Sequence, residues 1–313
     1  MADIRDEPDL GQMPFGMRGV LVRQFPCPAC QDRGMSRPGW NPVRRNRNIG
    51  TAKSGHGRDN RLVIPARWSQ DRVFWEKLRD PVLVSRTLDE RAIVVLVEPV
   101  LTGYTHCCTP DDVFAVVDLV PPDDLDDLRL FVLRQPTRKQ TVVSPVWGRL
   151  AYFARLGRLR GPAVYLEAQE LGRPWQRKTS MSVEERREFE RLLADGHRAR
   201  RVPTGYRWEL TLEAARATQL YRTLLHEIGH QVDYLRSVDR PRTTLPYDHP
   251  DWDVLSDRYW AKSSREKEAF AHRYADELGE RLRRCRKLPF ERYADRERLR
   301  SQGLDPGWFG VTS

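Results

Sequence analysis

The chain has 313 residues, of which 39% are hydrophobic, and this is enough to build a buried core in one large domain or two ordinary ones. The longest aliphatic stretch, Ala92–Val97, is far shorter than the ~18 apolar residues that cross a bilayer, so we expect no transmembrane helix. The first residues, Met1–Glu7, lack a basic region followed by an apolar one, and we therefore expect a cytoplasmic protein without a secretory signal.

The net charge is +10, and most of the excess lies in one segment. Between Arg33 and Arg67 there are nine basic residues and one acidic residue. Such a segment is able to bind nucleic acid or another polyanion. Only seven of the 54 cationic residues are lysines, so a general arginine bias of the composition is the competing explanation, and we favour it.

Residues 1–60 are rich in Gly, Pro, Arg and Asn, which predicts a largely irregular segment. A mixed α/β region follows, in which Trp147–Leu156 has helical character and a capping box at Ser182–Glu185 predicts a helix over Glu184–Ala194. Apolar, β-branched runs predict strands at Pro81–Ser85, Ala92–Val97, Val113–Val120, Leu130–Leu133 and Pro162–Ala168.

Two further helices follow in the C-terminal part of the chain. From Leu212 to Arg236 apolar residues repeat at helical spacing, so one face of this helix should pack on the body of the protein. A second capping box, Ser263–Glu266, predicts a helix over Ser264–Arg286. The stretch between them, Val238–Lys262, carries three prolines and predicts a connecting loop.

The long helix contains the segment His226-Glu227-Ile228-Gly229-His230. Histidines four residues apart lie on one helix face, where both imidazoles can bind one tetrahedral zinc ion. Glu227 can then act as general base on a metal-bound water, and Asp233 is placed to orient a ligand histidine. The pattern is typical of a hydrolytic zinc site.

A catalytic zinc needs a third protein ligand and an open position. Glu268 is favoured because Ala271 and Ala275 follow it at helical spacing and let another helix approach closely, while Phe270 and Tyr274 can pack on the other side. The downstream candidates are Asp239, His249, Asp251, Asp253, Asp257, Glu266, Glu268, His272, Asp276 and Glu277.

The segments His226–Asp233 and Glu268–Ala271 resemble the gluzincin peptidases, and in particular the anthrax-lethal-factor-like branch, over residues 225–275. The resemblance implies His226, His230 and Glu268 as zinc ligands and Glu227 as the base, with a peptide or protein as substrate.

The same resemblance places an oxyanion-stabilising tyrosine at the position of Ala261, and Tyr259 is the nearby alternative if the loop differs. His272, one turn after Glu268, is the alternative third ligand.

The resemblance also implies an edge strand beside the active-site helix, for which Pro162–Ala168 is our candidate. The segment 170–210 then becomes a lid or specificity insert, with a basic stretch at 197–201 that faces acidic substrate or is an ordinary solvated loop.

The expected fold is α+β, with a zincin-like mixed sheet packed on the H-E-x-x-H helix and a second ligand-bearing helix. Its expected divisions are a basic segment 1–60, an α/β portion 61–125, a catalytic domain 126–300 and a tail 301–313. The predicted function is zinc-dependent peptide hydrolysis. The alternative is a regulatory protein that binds nucleic acid through Arg33–Arg67 and holds zinc without catalysis.

Five cysteines in a chain of this length are too few for a disulfide framework, so reduced thiols are expected. Cys27 and Cys30 have the spacing of half a zinc knuckle, and Cys107 and Cys108, with His106, are candidates for the other half. A second, structural zinc and free buried thiols are the two alternatives.

Overall fold

A five-stranded mixed sheet forms the centre of the structure, a computed structural model. Its strands occur in the order β1-β2-β3-β5-β4. Strands β2, β3 and β5 run parallel, and the outer strands β1 and β4 pair antiparallel with their neighbours. The strands are β1 (Val82–Leu88), β2 (Arg91–Val97), β3 (Leu130–Arg134), β4 (Gly148–Leu156) and β5 (Leu159–Glu167).

The structure describes residues 76–137, 140–141, 146–172, 174–246 and 249–311, and all of them belong to one compact unit, Ser69–Ser313. The predicted irregular segment 1–60, the basic segment Arg33–Arg67, and Cys27 and Cys30 lie outside the described residues. These predictions stay predictions.

Both faces of the central strands are buried, as expected where parallel strands are covered on both sides. Ile93 and Val95 of β2 face the larger core, which the helices share, whereas Val94 and Leu96 face a smaller core on the opposite side. This explains why Ala92–Val97 reads as a continuous apolar run, and it confirms the strands predicted near β1, β2, β3 and β5.

Helices pack on the face of this sheet that carries the larger core. A small second sheet of order β6-β8-β7 lies in the 170–210 segment. Its strands are β6 (Trp175–Arg177), β7 (Arg198–Val202) and β8 (Gly205–Glu209). The helices are α1 (Pro110–Val117), α2 (Pro122–Leu125), α3 (Val183–Ala194), α4 (Leu212–Thr218), α5 (Leu224–Tyr234), α6 (Arg240–Thr243), α7 (Asp251–Ala261), α8 (Ser264–Arg284) and α9 (Arg296–Ser301).

The predicted long helix is present, and the helical backbone runs without a break from Leu212 to Thr243. Two π-helical turns, Gln219–Thr223 and Leu235–Asp239, join α4 to α5 and α5 to α6. The predicted capping boxes at Ser182 and Ser263 are both formed, so the starts of α3 and α8 are confirmed.

Two secondary-structure predictions are wrong. Val113–Val120 is largely helix α1, because Thr109 caps the helix, Pro110 occupies its first turn and the helix is buried on nearly all sides. Trp147–Leu156 is not helical but forms strand β4, which pairs with β5 through the register Leu150 to Val164. Tertiary pairing overrides the local pattern in this segment.

Two predictions about connections also need correction. The stretch Val238–Lys262 is not a simple loop, because α6 and α7 lie within it, and α7 begins directly after Pro250, where proline is tolerated. Pro162–Ala168 is not an edge strand, since β5 lies between β3 and β4. The edge position next to the long helix belongs to β4, against which α5 packs.

The described architecture is therefore mixed α+β with a mixed sheet, as expected. Among the described helices, none combines the length and apolar character that crossing a membrane requires.

Candidate metal centre

Helices α5 and α8 pack closely enough for side chains of both to meet. Gly229 of α5 lies against α8, where a Cβ added to Gly229 would come within 3.0 Å of the Cα and carbonyl oxygen of Ala271. Ala271 and Ala275 are both buried on this face of α8. The small side chains predicted to permit helix contact are thus at the contact itself.

Three predicted ligands converge at this helix pair. The Nε2 atoms of His226 and His230 lie 3.1 Å apart. Glu268 of α8 places Oε2 3.2 Å from His226 Nε2 and Oε1 3.5 Å from His230 Nε2. The three side chains therefore point their donor atoms at one small volume.

The spacing of these atoms fits zinc. At metal–ligand distances of about 2.0–2.1 Å, two ligands of a tetrahedral zinc lie about 3.4 Å apart. The observed separations, 3.1 to 3.5 Å, bracket this value. Hydrogen bonds from the histidines hold the pKa of Glu268 well below its usual range, so its carboxylate is ionised and ready to bind a cation. The donor set of two imidazoles and one carboxylate is common to catalytic zinc sites.

His272 is a competing ligand, because His226, Glu268 and His272 also offer atoms within 4.8 Å of one another. Its ring centroid lies 4.4 Å from that of His226. However, Arg191 of α3 donates a hydrogen bond to His272 Nε2 over 3.2 Å. This contact involves only one of the two ring nitrogens of His272. We favour His230 because its Nε2 lies 3.1 Å from that of His226 and 3.5 Å from Glu268 Oε1.

Glu227 lies beside the three ligands and is 8% exposed. Burial raises its pKa above the usual value, while the two histidines and the backbone N–H of Leu150 in β4 act in the opposite direction. A glutamate in such an environment is better suited to take and return a proton than one in water. Strand β4 thus also fixes the position of the predicted base.

The predicted catalytic Tyr259 is 1% exposed and lies at the end of α7. Its hydroxyl is 2.8 Å from that of Tyr152 in β4. Tyr152 is not among the predicted site residues, because the pattern of Trp147–Leu156 favours a helix. Its place on β4 follows only from the pairing with β5.

Asp233 is buried one turn after His230. Its Oδ1 accepts hydrogen bonds from Lys262 Nζ over 2.8 Å and from Ser237 Oγ over 3.2 Å. Burial lowers the pKa of His230, but the hydrogen bond to Glu268 and the nearby negative charges, that of Asp233 included, raise it above its usual value. The role of Asp233 in orienting a ligand histidine stays a prediction.

The other predicted metal site receives no support from the residues that are described. Cys107 and Cys108 are fully buried free thiols, and burial raises the pKa of Cys107 to about 12. Cys108 Sγ donates to Gln219 Oε1 over 3.3 Å, and His106 Nε2 is 2.7 Å from the carbonyl oxygen of Glu98. Cys107, Cys108 and His106 thus have the burial and the contacts of ordinary core residues.

The described residues of the 170–210 segment form helix α3 and the small second sheet, and α3 reaches the candidate metal centre. Helix α3 supplies Arg191, which holds His272 as described above. The basic stretch 197–201 lies mainly in β7, and its first residue, His197, is buried and 3.1 Å from Thr218 Oγ1. It is therefore a strand of the small sheet rather than a solvated loop.

Comparison of the chain with protein-family models, with curated proteins and with solved structures found no match in any of the three.

The contact at Gly229 yields a testable prediction. We expect Gly229→Ala to push α8 away from α5, to cost about 1–3 kcal/mol of unfolding free energy and to weaken zinc binding by about 10-fold or more. Urea unfolding and zinc titration against a competing chelator measure the two effects.

Gly279→Ala is the matched control, because Gly279 belongs to the other helix of the same pair, α8, and lies near Leu225 of α5. The nearest atom to its added Cβ is Arg283 Nη1 at 3.3 Å, the end of a flexible side chain, and we expect zinc binding to be retained. Wild-type zinc affinity and stability in Gly229→Ala would contradict the proposed helix geometry.

Proposed function

We propose that this chain is a zinc-dependent metallopeptidase that hydrolyses peptide bonds in the cytoplasm, with a gluzincin-type arrangement of ligands. The observation that carries the proposal is the convergence of His226, His230 and Glu268 at separations suited to one tetrahedral zinc, next to the buried carboxylate of Glu227. The ligands would be His226 and His230 from α5 and Glu268 from α8.

When bound, zinc supplies a Lewis acid that polarises the peptide carbonyl and lowers the pKa of a water molecule to near 7. Glu227 takes a proton from the attacking water and passes it to the leaving amine. The water oxygen forms the new bond to the carbonyl carbon, and the bond from that carbon to the amine nitrogen breaks. His226, His230 and Glu268 would hold the ion beside Glu227.

The edge strand β4 supports an extended peptide as substrate. It is the outermost strand on the α5 side of the described sheet, and its Leu150 contacts Glu227. A peptide that adds to a sheet edge makes main-chain hydrogen bonds irrespective of its sequence. We propose that the substrate binds along β4, which brings its backbone past the metal centre.

The test is cleavage of a peptide library by the purified full-length chain, followed by mass spectrometry. We expect cleavage to disappear after zinc is removed with dipicolinate and to return when zinc is restored. Bound zinc should approach about one ion per chain if the catalytic site is the only one. Metal-bound protein that cuts no peptide would contradict the proposal, and about two ions per chain would indicate a cysteine site as well.

A further inference from the structure

We infer that Tyr152 is a catalytic residue that donates a hydrogen bond to the substrate carbonyl oxygen as this oxygen becomes negatively charged, and that Tyr259 is the residue that positions it. The inference rests on the proposed peptidase function. Hydrolysis of a peptide bond places negative charge on the carbonyl oxygen, and a fixed donor aimed at that oxygen accelerates the reaction.

A β-bulge directs Tyr152 toward the helices. The β4–β5 register shifts between Ala151 and Ala154, so the strand carries one extra residue at this point. Successive side chains of a regular strand point to opposite faces. Here Tyr152 and Phe153 both contact Tyr234 of α5, with ring centroids 5.3 and 5.9 Å away. The bulge therefore turns both rings to the side of the metal-binding helix.

Tyr152 lies on the strand that also contacts the proposed base. Leu150, two residues earlier on the same strand, donates its N–H to Glu227. Burial raises the pKa of Tyr152, and the charges of Asp233, Glu227 and Glu268 raise it further. Tyr152 is thus within electrostatic reach of the base and of one ligand, and its phenol keeps its proton at neutral pH.

The hydroxyl pair has a direction that suits this role. Tyr259 is 1% exposed, so its proton needs an acceptor inside the protein, and the Tyr152 oxygen is 2.8 Å away. Tyr152 is less buried, and its own proton is left for another acceptor.

The ring of Tyr152 is held firmly by its neighbours. Trp260 meets it edge-on with centroids 5.2 Å apart, and Tyr259 does so at 6.1 Å. Replacing Tyr152 with phenylalanine removes the hydroxyl and keeps these ring contacts. The substitution therefore separates a role in catalysis from a role in packing.

The experiment compares Tyr152→Phe, Tyr259→Phe and the control Tyr234→Phe in the zinc-loaded full-length chain. Tyr234 belongs to the same cluster, but its hydroxyl bonds to Arg242 instead. Two ligands with the same leucyl-tryptophan dipeptide are used as probes, one with an N-phosphoryl group that mimics the tetrahedral oxyanion and one with an N-mercaptoacetyl group that binds zinc through sulfur.

For Tyr152→Phe we expect kcat to fall by about 100- to 1,000-fold, as for loss of one oxyanion donor, with KM changed by less than about two-fold. The affinity for the phosphoryl probe should fall while that for the mercaptoacetyl probe stays. Tyr259→Phe should show a smaller loss in the same two readouts, and Tyr234→Phe should show neither.

Equal effects of Tyr152→Phe on both probes, or unchanged kcat and phosphoryl affinity, would overturn the inference. Loss of stability without loss of phosphoryl affinity would mean that the tyrosine pair only ties α7 to β4. Failure of the peptidase proposal is recognised separately, because Glu227→Gln would then cleave as fast as wild type or the wild type would cleave nothing. In either case the probe affinities still show whether the Tyr152 hydroxyl binds the phosphoryl group.

Discussion

Glu227→Gln should abolish most peptide hydrolysis while zinc stays bound. The amide has nearly the shape of the carboxylate and keeps an oxygen that can accept from Leu150, so the metal site should be undisturbed. It cannot take a proton from water, and we expect kcat to fall by about 100- to 10,000-fold, the range for loss of a general base. Zinc content by mass spectrometry and cleavage rate are measured on the same sample.

His226→Ala is the comparison variant for this prediction, because it removes a ligand and should lose both zinc and activity. Glu277→Gln, an exposed position on α8, is the matched control for the chemical change and should behave as wild type. Undiminished cleavage by Glu227→Gln would refute the assigned base. Loss of zinc from Glu227→Gln would instead show that Glu227 supports the metal site.

Glu268→Ala and His272→Ala should differ sharply in zinc affinity, although the two residues lie one turn apart on α8. Loss of Glu268 removes a ligand, so we expect a weakening beyond the 10- to 100-fold typical of residues that only support ligands. Its side chain is half-exposed, and its removal leaves no buried cavity. His272→Ala removes the partner of Arg191 and should leave zinc affinity within about three-fold.

Titration of each variant against a fluorescent zinc chelator measures this difference, and circular dichroism checks that both variants fold. Equal loss of zinc from the two variants would show that His272 is a ligand as well. If zinc affinity fell in His272→Ala alone, His272 would be the third ligand in place of Glu268. This result would remove the main support for the proposed arrangement.

Part of the site was accessible from local sequence. The spacing of His226 and His230 places both imidazoles on one helix face, since this follows from 3.6 residues per turn. The capping boxes at Ser182 and Ser263 likewise depend on contacts within four residues, and both form as expected. Ala271 and Ala275 indicated a close helix contact, although they did not show which helix would fill it.

Other features depended on contacts between distant segments. Val113–Val120 is apolar at nearly every position, and such a run is compatible with a buried strand or a buried helix, so the burial of α1 was needed to decide. Trp147–Leu156 became a strand through pairing with β5, and the bulge that turns Tyr152 arises only within that pairing. A helix over Trp147–Leu156 would not place Tyr152 at the sheet edge beside α5, so Tyr152 was not predicted as a site residue.

The sequence by itself therefore determined the local elements of this protein: the two histidines on one helix face, the neighbouring glutamate and the capped starts of two helices. Only the tertiary structure decided that Glu268 lies next to both histidines and that Arg191 donates a hydrogen bond to His272. It also decided that Tyr152 and Tyr259, 107 positions apart, share a hydrogen bond. The physical reason is that local hydrogen bonds and helical periodicity act within a few residues, whereas these contacts depend on the packing of α5, α8 and β4.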